Sequence, residues 1–369
     1  MSIDDIIFNK QIVIRKEVIN NMATTKQSSI KNAPHGIGLD VGTGNLLSCS
    51  FVGKRQVKFT MLRDCFFSID KEMFNKSMFN KNQMKFIESG NMVHIVGEDA
   101  LTMAKIQNTS TKRPLAKGVI NPNEREAAPI LKEMIKHCLN KYKKKPGEKL
   151  VYSVPGPMLG NEDFNVEYHS LSIQSLIKSL GFDPVPLNEG YAVIISELEK
   201  AKEVTGIGFS FGAGLVNVAF VYKGMLMFDF SINKSGDFID KESSKACGVA
   251  ESMINHIKET QLNLSKSEFD TIPEERALIF TYRHVIKNVL INTINIFNSK
   301  DNVNVIEPIP LIISGGTTLP KGFITLFKNE LKLVELPFEY TKIIPAKDRL
   351  SSVAKGCMLA ANNMENDNL

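Results

Sequence analysis

Two apolar runs, far apart in the chain, end in the same punctuation. Ile37, Leu39 and Val41 alternate with Gly38 and Asp40; Gly42-Thr43-Gly44-Asn45 interrupts, and apolar residues resume at Leu46-Leu47. Period-two alternation broken by glycines predicts a β-hairpin with a tight turn. The layout recurs as Gly208-Phe209-Ser210-Phe211-Gly212-Ala213-Gly214-Leu215, with apolar residues resuming from Val216 to Val221. Further strands are expected at Val57 to Leu62, Met92 to Val96, Lys149 to Val154 and Leu311 to Ile313, the last running into Ser314-Gly315-Gly316-Thr317. Helical spacing is carried by Ile130, Leu131, Met134, Ile135, Cys138, Leu139 and Tyr142, in a helix expected to start near Asn123. Other helices are expected from Leu171 to Leu180 (stopped by Gly181), from Glu189 through Ala201, from Gly322 to Leu331, and from Ser351 to Ala361. A long helical region opens at Ser235-Gly236-Asp237, with apolar periodicity through Met253, Ile254 and Ile257 and again from Ile279 to Phe297.

Between these elements, Arg113 to Ile120 reads as a turn, and the Asn- and Lys-rich stretch from Asn75 to Lys85 as an exposed loop. Residues 1–35 read as a tail, in which Ile6, Ile7, Val13, Ile14 and Val18 line one side of a short helix and residues 23–34 form a flexible linker. Membrane association is conceivable only through that segment, which lacks the basic face of a membrane-surface helix. Residues 363–369 read as a polar tail.

Composition narrows the class. The chain has 369 residues, 43% hydrophobic and 23% charged, as ordinary globular proteins have. A net charge of +5 is too small to argue for nucleic acid, and the run Lys141 to Lys145 reads as a solvated helix end. Cys49, Cys65, Cys138, Cys247 and Cys357 are odd in number and scattered, which suits free thiols in a reducing, cytoplasmic compartment. The six histidines show no metal-ligand spacing. No apolar run approaches the ~18–20 residues of a membrane span, and residues 1–22 lack the core of a signal peptide.

The candidate chemistry lies in the glycine turns. Glycines let backbone N–H groups approach a ligand closely, and consecutive free N–H groups bind anions. Two such hairpins can clamp a polyphosphate from both sides. Asp40, at the mouth of the first turn, is placed to hold a magnesium ion through water. The Gly315-Gly316 turn follows a buried strand, where α/β sheets bind ligands.

The order of these motifs resembles the actin-like ATPases, and among them the MreB-type bacterial actins. Residues 36–45 resemble the first phosphate motif, and Phe209 to Phe220 the second. Arg113 to Ile120 resembles the Arg-Pro-Leu-x-x-Gly-Val-Ile segment of MreB, and Tyr152-Ser153-Val154-Pro155 a strand that closes the first half-sheet. Asn188-Glu189-Gly190-Tyr191-Ala192 stands where MreB and DnaK-type chaperones have Glu-Pro-x-Ala. Gly236-Asp237-Phe238-Ile239-Asp240, Ile257-Lys258-Glu259 and Ser314 to Gly322 complete the series over residues 36–362.

The resemblance implies an α/β fold of duplicated, ribonuclease H-like domains with ATP and magnesium in the cleft between them. The first domain would span 36–155 with an inserted subdomain near 53–112. The second would span 156–362 with a helical insertion near 237–300, and the last helix, 351–362, would return to the first domain. Gly42, Thr43, Gly44 and Asn45 would bind phosphate from one side, and Gly212, Ala213 and Gly214, with Ser210, from the other. Lys258 and Glu259 would flank ribose and adenine, and Gly315, Gly316 and Thr317 would bed the adenosine. Asp40 would organise the magnesium ion, and Glu189 would orient the attacking water. Two other readings stand beside these: Lys258 and Glu259 also fit a solvated helix face, and Glu189 a helix-start carboxylate that satisfies the dipole.

The chain departs from the family at three places. Ser210 replaces an Asp, Leu215 a Thr, and Gly190 the Pro after the Glu. Hydrolysis is therefore expected to be slow. The function implied is a filament-forming ATPase, self-associating into protofilaments of the kind that sets cell shape. The alternatives are a non-polymerising nucleotide switch or chaperone-like adaptor, and a small-molecule kinase of the same superfamily, for which no substrate-site Asp base is evident.

Overall fold

A computed structural model of the chain describes residues 36–52, 56–140, 142, 147–160, 166–201, 203–300 and 305–366. The expected tail over residues 1–35, and most of the basic run after Asn140, lie outside the described residues.

The duplication expected from the two glycine hairpins is present as two five-stranded sheets of one topology. In the first, β1 (Ile37–Val41) pairs antiparallel with β2 (Asn45–Val52), which pairs antiparallel with β3 (Gln56–Arg63). On its other side β1 runs parallel to β9 (Lys149–Val154), and β9 to β10 (Asp183–Asn188). Pro184 and Pro186 are tolerated in β10 because it is an edge strand, so a missing N–H need not break the ladder. The second sheet repeats this order. Its strand β11 (Gly206–Phe211) pairs antiparallel with β12 (Val216–Tyr222), which pairs with β13 (Met225–Ile232). On the other side of β11 lie β14 (Ile309–Ser314) and β15 (Tyr340–Pro345), both parallel. Val41 faces Leu46 across the first turn, and Phe211 faces Val216 across the second.

A small sheet of β4 (Phe66–Asp70), β6 (Met92–Val96) and β5 (Phe86–Ser89) branches from the first half. Its core includes Phe67, Phe79, Val93, Ile95 and Ala100, with helices α1 (Lys76–Lys81) and α2 (Glu98–Ile106). A two-stranded ladder, β7 (Leu115–Ala116) with β8 (Val119–Ile120), precedes helix α3 (Ala127–Leu139). Helix α4 (Val166–Ser179) and α3 close the outer face of the first sheet over Leu39, Leu46, Leu150 and Tyr152.

Two helices lie between the large sheets. Helix α5 (Glu189–Leu198) follows β10 of the first sheet yet packs on β11 and β12 of the second. Three helices then extend from β13: α6 (Gly236–Cys247), α7 (Glu251–Thr260) and α8 (Pro273–Asn298), which with α9 (Phe323–Leu331) cover the outer face of the second sheet. Helix α10 (Ser352–Asn366) follows β15 of the second sheet yet packs on β1, β2 and β9 of the first, and along α5. Each inner helix thus covers the sheet of the other half.

Close approach is achieved by removing side chains. A Cβ at Gly38 would stand 2.1 Å from the Ala354 carbonyl oxygen, one at Gly208 2.1 Å from that of Gly190, and one at Gly356 2.0 Å from that of Ala192. At these points α10 meets β1, α5 meets β11, and the two helices meet each other, backbone to backbone. One apolar cluster joins them, running from Val151 through Ile194 and Met358 to Ala219 and Ile312.

Three expectations are corrected and one is refined. The stretch from Asn75 to Lys85 contains α1, capped by the Asn75 side chain, which accepts from the Met78 N–H at 3.1 Å. Only Phe79 of that helix is buried, so the sequence carried almost no periodic signal. Helix α3 starts at Ala127, four residues beyond Asn123, because Pro129 has no N–H to give and belongs in the first turn. The helical region expected after Ser235 is present and resolves into three helices, the first ended by Gly248 at φ +67° with its N–H on the Ser244 carbonyl. The last helix runs past Asn362 to Asn366, held by buried Met364.

Candidate functional site

The turns of the two glycine hairpins face each other across a cavity of about 680 Å³, within the range of small-molecule sites. Every residue singled out in the sequence lines it: Asp40, Gly42, Thr43, Gly44 and Asn45 from the first half, Glu189 between the halves, and Ser210, Gly212, Ala213, Gly214, Lys258, Glu259, Gly315, Gly316 and Thr317 from the second.

The turns are built to leave amides exposed. Gly42 N–H closes the first turn on the Asn45 carbonyl at 3.2 Å, and Gly212 N–H closes the second on that of Leu215 at 2.8 Å. The amides of Thr43, Gly44, Ala213 and Gly214 make no hydrogen bond among the described residues. Unpaired N–H groups on facing turns are donors for an anion, and glycine gives the anion access to them. A Cβ on Gly44 would lie 3.1 Å from that of Ala213, so the two turns nearly touch.

The second turn is fixed through one carbonyl. Gly212 O accepts from Thr317 Oγ1 at 2.7 Å, from Ser235 Oγ at 2.6 Å and from Gly236 N at 3.3 Å. The glycine turn, the short helical turn Gly316–Thr318 and the start of α6 are therefore one rigid unit. Gly315 makes this possible: at φ +100°, its missing Cβ would stand 2.1 Å from the Phe211 carbonyl oxygen.

Behind the turns lie two buried carboxyls. Asp40 is the last residue but one of β1, and its Oδ1 accepts from Ser153 Oγ of β9 at 2.9 Å. Ser153 also accepts the Val41 N–H at 2.9 Å, which sets the carboxyl's position. Glu189 opens α5, whose N-cap Asn188 accepts from Tyr191 N at 3.1 Å. Glu189 Oε2 accepts from Asn217 Nδ2 at 2.9 Å and, at a longer 3.4 Å, from Ser210 Oγ. Burial raises both acids, Asp40 to about 6 and Glu189 to about 8; Glu189 is raised further by the Asp40 charge and eased by its two hydrogen bonds. Both carboxyls therefore hold their protons more tightly than exposed acids do, Glu189 the more so because the Asp40 charge opposes its ionisation.

A magnesium ion suits this chemistry in one form only. Among the described residues no three His, Cys, Asp or Glu side chains converge, so a cage of protein ligands is ruled out there. Asp40 Oδ2 has no hydrogen bond among the described residues and remains open to a hydrated ion, which is how magnesium binds beside phosphates.

Lys258 and Glu259 line the cavity but are already engaged. Lys258 Nζ lies 2.6 Å from Asp240 Oδ2, both side chains about nine-tenths buried, and 3.3 Å from the Gly236 carbonyl. Glu259 Oε1 accepts from Arg63 Nη2 of the opposite half at 3.0 Å.

Sequence reasoning missed Asn217 and Arg63, and it placed Ser153 and Asp240 in motifs without giving either a role. Asn217 left one trace, a polar residue inside the apolar run Val216 to Val221. It is fully buried, accepts the Gly156 N–H at 3.1 Å and donates to Glu189. The others stand out only once the fold brings them to their partners.

Residues 36–361 match the Volactin family. The chain belongs to this family. No curated protein matches it. The Volactin-family chain is also similar to solved structures. One is the MamK double helical filament, at TM-score 0.65 and 13% identity, covering 87% of this chain and 97% of that one. Another is MreB5 of Spiroplasma citri bound to AMPPNP, at TM-score 0.61 and 16% identity, covering 88% and 95%. A third is the ethanolamine utilization protein EutJ of Carboxydothermus hydrogenoformans, at TM-score 0.51 and 12% identity, covering 94% and 99%. This Volactin-family chain therefore has the actin-like ATPase fold, and the resemblance read from its motifs holds for the fold. No helix among the described residues is long and apolar enough to cross a membrane.

Proposed function

We propose that the chain binds ATP with magnesium between its two sheets, hydrolyses it slowly and assembles with copies of itself into cytoplasmic filaments. The observation that carries this reading is the pair of glycine turns presenting unpaired amides to one cavity, with Asp40 and Glu189 behind them. The two sheets would be the two bodies that close on the nucleotide, the first including α4 and β10 (Asp183–Asn188), which the limits implied by the motifs, 36–155 and 156–362, leave to the second. Among proteins of this fold, MreB5 is described bound to AMPPNP and to ADP, and MamK as a double helical filament.

In this reading the amides of Thr43, Gly44, Ala213 and Gly214 receive the phosphate oxygens. Lys258 and Glu259 stand at the ribose, and Gly315, Gly316 and Thr317 at the adenosine. Magnesium, held through water by Asp40, would neutralise phosphate charge. Glu189 takes the proton of the attacking water, steered by the Asn217 amide.

Asp40→Asn is expected to lose the magnesium-dependent part of ATP affinity, about 10-fold or more by calorimetry, while metal-free binding persists. Equal affinity in parent and variant removes Asp40 from the metal's shell. A pelleting assay tests assembly: sedimentation with ATP and not without it is the expected result, and a chain that binds ATP yet stays in the supernatant is a switch instead.

Ser210→Asp adds a third acid beside two buried ones. It is expected to lower the melting temperature without magnesium and to raise single-turnover hydrolysis with it, since the added carboxylate orders the water shell of the ion. A variant no faster than the parent shows that position 210 does not limit the rate.

A further inference from the structure

The ladder of β7 and β8 belongs to neither large sheet, yet it stands between the two glycine turns. Its two-residue turn, Lys117-Gly118, has φ of +50° and +79°, as tight hairpins of this length require. On one side it is anchored to the first half. Gly118 N donates to Thr43 Oγ1 at 2.9 Å, and Leu115 N to Asp64 Oδ2 at 3.1 Å. The preceding residue, Lys112, bridges to Phe66 of β4.

On the other side it grips the second half twice. Leu215 follows the second glycine turn and fills the place of a missing side chain: a Cβ on Gly118 would lie 2.1 Å from Leu215 Cδ1. Leu215 is 3% exposed. Arg113 reaches across the cavity wall, with Nη1 2.9 Å from both carboxylate oxygens of Asp237. Asp237 is in the first turn of α6, and its N–H donates to the Ala213 carbonyl at 2.7 Å. Both grips therefore act on the same glycine turn. The Thr-to-Leu departure, which in the sequence looked like a lost hydroxyl, here supplies a knob for the socket at Gly118.

We propose that residues 113–118 form a clasp across the cleft, in which Leu215 seated on Gly118 and Arg113 paired with Asp237 hold the two halves closed, so that its release gates entry and exit of the nucleotide. The gating rests on the nucleotide-cleft reading; the closure does not. Opening of the halves must unseat Leu215 and break the ion pair together, because both partners are fixed to the Ala213-Gly214 turn. Conversely, a phosphate drawn onto that turn holds the clasp shut. Arg113 and Asp237 are 37% and 41% exposed, so their pair is screened by water and the apolar seat shares the load.

The test has two readouts on the full chain. With a fluorescent ADP in stopped flow, Arg113→Ala should release nucleotide about 2–5-fold faster than the parent, as expected for losing one partly exposed pair, and Leu215→Ala about 10-fold faster or more, as expected for losing a buried apolar contact. Arg113→Ala combined with Asp237→Ala should be no faster than either alone, because the partners act as one unit. Added salt should speed release from the parent but not from that double variant. Release at the parental rate from both single variants, or rates that multiply in the double variant, overturns the clasp. Small-angle scattering without nucleotide is the second readout, and it decides the closure even if the parent binds no ADP. The parent should be the more compact, and an unchanged radius of gyration in Arg113→Ala and Leu215→Ala refutes closure. Should Leu215→Ala fail to fold by circular dichroism, Leu215→Val replaces it in both measurements with the same outcomes.

Discussion

Glu189→Gln will turn over ATP at least about 100-fold more slowly than the parent, as expected for loss of a group that takes a proton in the transition state. Without nucleotide, the same variant will be more stable than the parent above pH 8 and equal to it near pH 4. The second effect follows from the buried acid. In the unfolded chain Glu189 titrates at its ordinary value of 4.5, and in the folded chain at about 8, because burial and the Asp40 charge oppose ionisation. The folded state therefore binds the extra proton between these values. Its stabilising contribution is complete below pH 4.5 and is lost as pH rises towards 8. A tenfold difference in proton affinity between the folded and unfolded chains corresponds to about 1.4 kcal/mol, so the parent should lose about 3 kcal/mol over this range after allowance for relaxation around the charge. Gln has no such cost, and its amide oxygen still accepts from Asn217. Melting curves from pH 4 to 9 check this; parallel curves for the two proteins show that Glu189 titrates in the folded chain as it does in the unfolded one. Single-turnover hydrolysis should rise with pH towards 8 in the parent, because only the ionised carboxylate can take the proton.

Gly356→Ala and Gly208→Ala should each destabilise the protein by more than about 3 kcal/mol, enough to remove most soluble, folded material at growth temperature. The added methyl would stand 2.0 Å from a carbonyl oxygen in the first case and 2.1 Å in the second, and the atom in the way is backbone, which cannot swing aside as a side-chain tip can. Relief requires α5 to move off α10 or off β11, and that motion opens the cluster around Ile194, Ala219 and Met358. Gly90→Ala is the control. Its φ is +55° and no atom lies within 4 Å of the added methyl, so it should cost only about 1 kcal/mol of backbone strain. Comparable melting temperatures for Gly90→Ala and Gly356→Ala would show that the helices are not in fixed backbone contact.

The parts of this fold that could be read from the sequence are those with short-range punctuation. The hairpins at Gly42 and Gly212 announced themselves because alternation and glycines fall within ten residues, and β6 and β9 matched their expected limits. Helix α1 was invisible because a six-residue helix with one buried side chain has no period to detect. In the site, the glycines and Asp40 carried local signals, and Glu189 sat at a legible strand-to-helix boundary. The groups that tune them did not. Ser153 is 113 residues from Asp40, Arg63 is 196 from Glu259, and Arg113 is 124 from Asp237. Such pairs exist only after the sheets have formed, and no spacing rule reaches them. Leu215 is the instructive case: against a motif it looks like a deficit, whereas its packing against Gly118 depends on a partner that only the fold supplies.

Because the two halves exchange their inner helices, the first half cannot finish folding until α10 has been made. The inner face of the first sheet, with Leu47, Cys49 and Val151, is covered by α10, which lies about 160 residues beyond the end of β10. At translation speeds of roughly 5–20 residues per second, that face waits about ten to thirty seconds for its cover. Helix α5 emerges directly after β10, but its own seat on β11 and β12 is still to be made. During that interval the nascent chain presents an apolar sheet and an apolar helix that cannot satisfy each other fully. The first half thus becomes native only when α10 arrives to cover it.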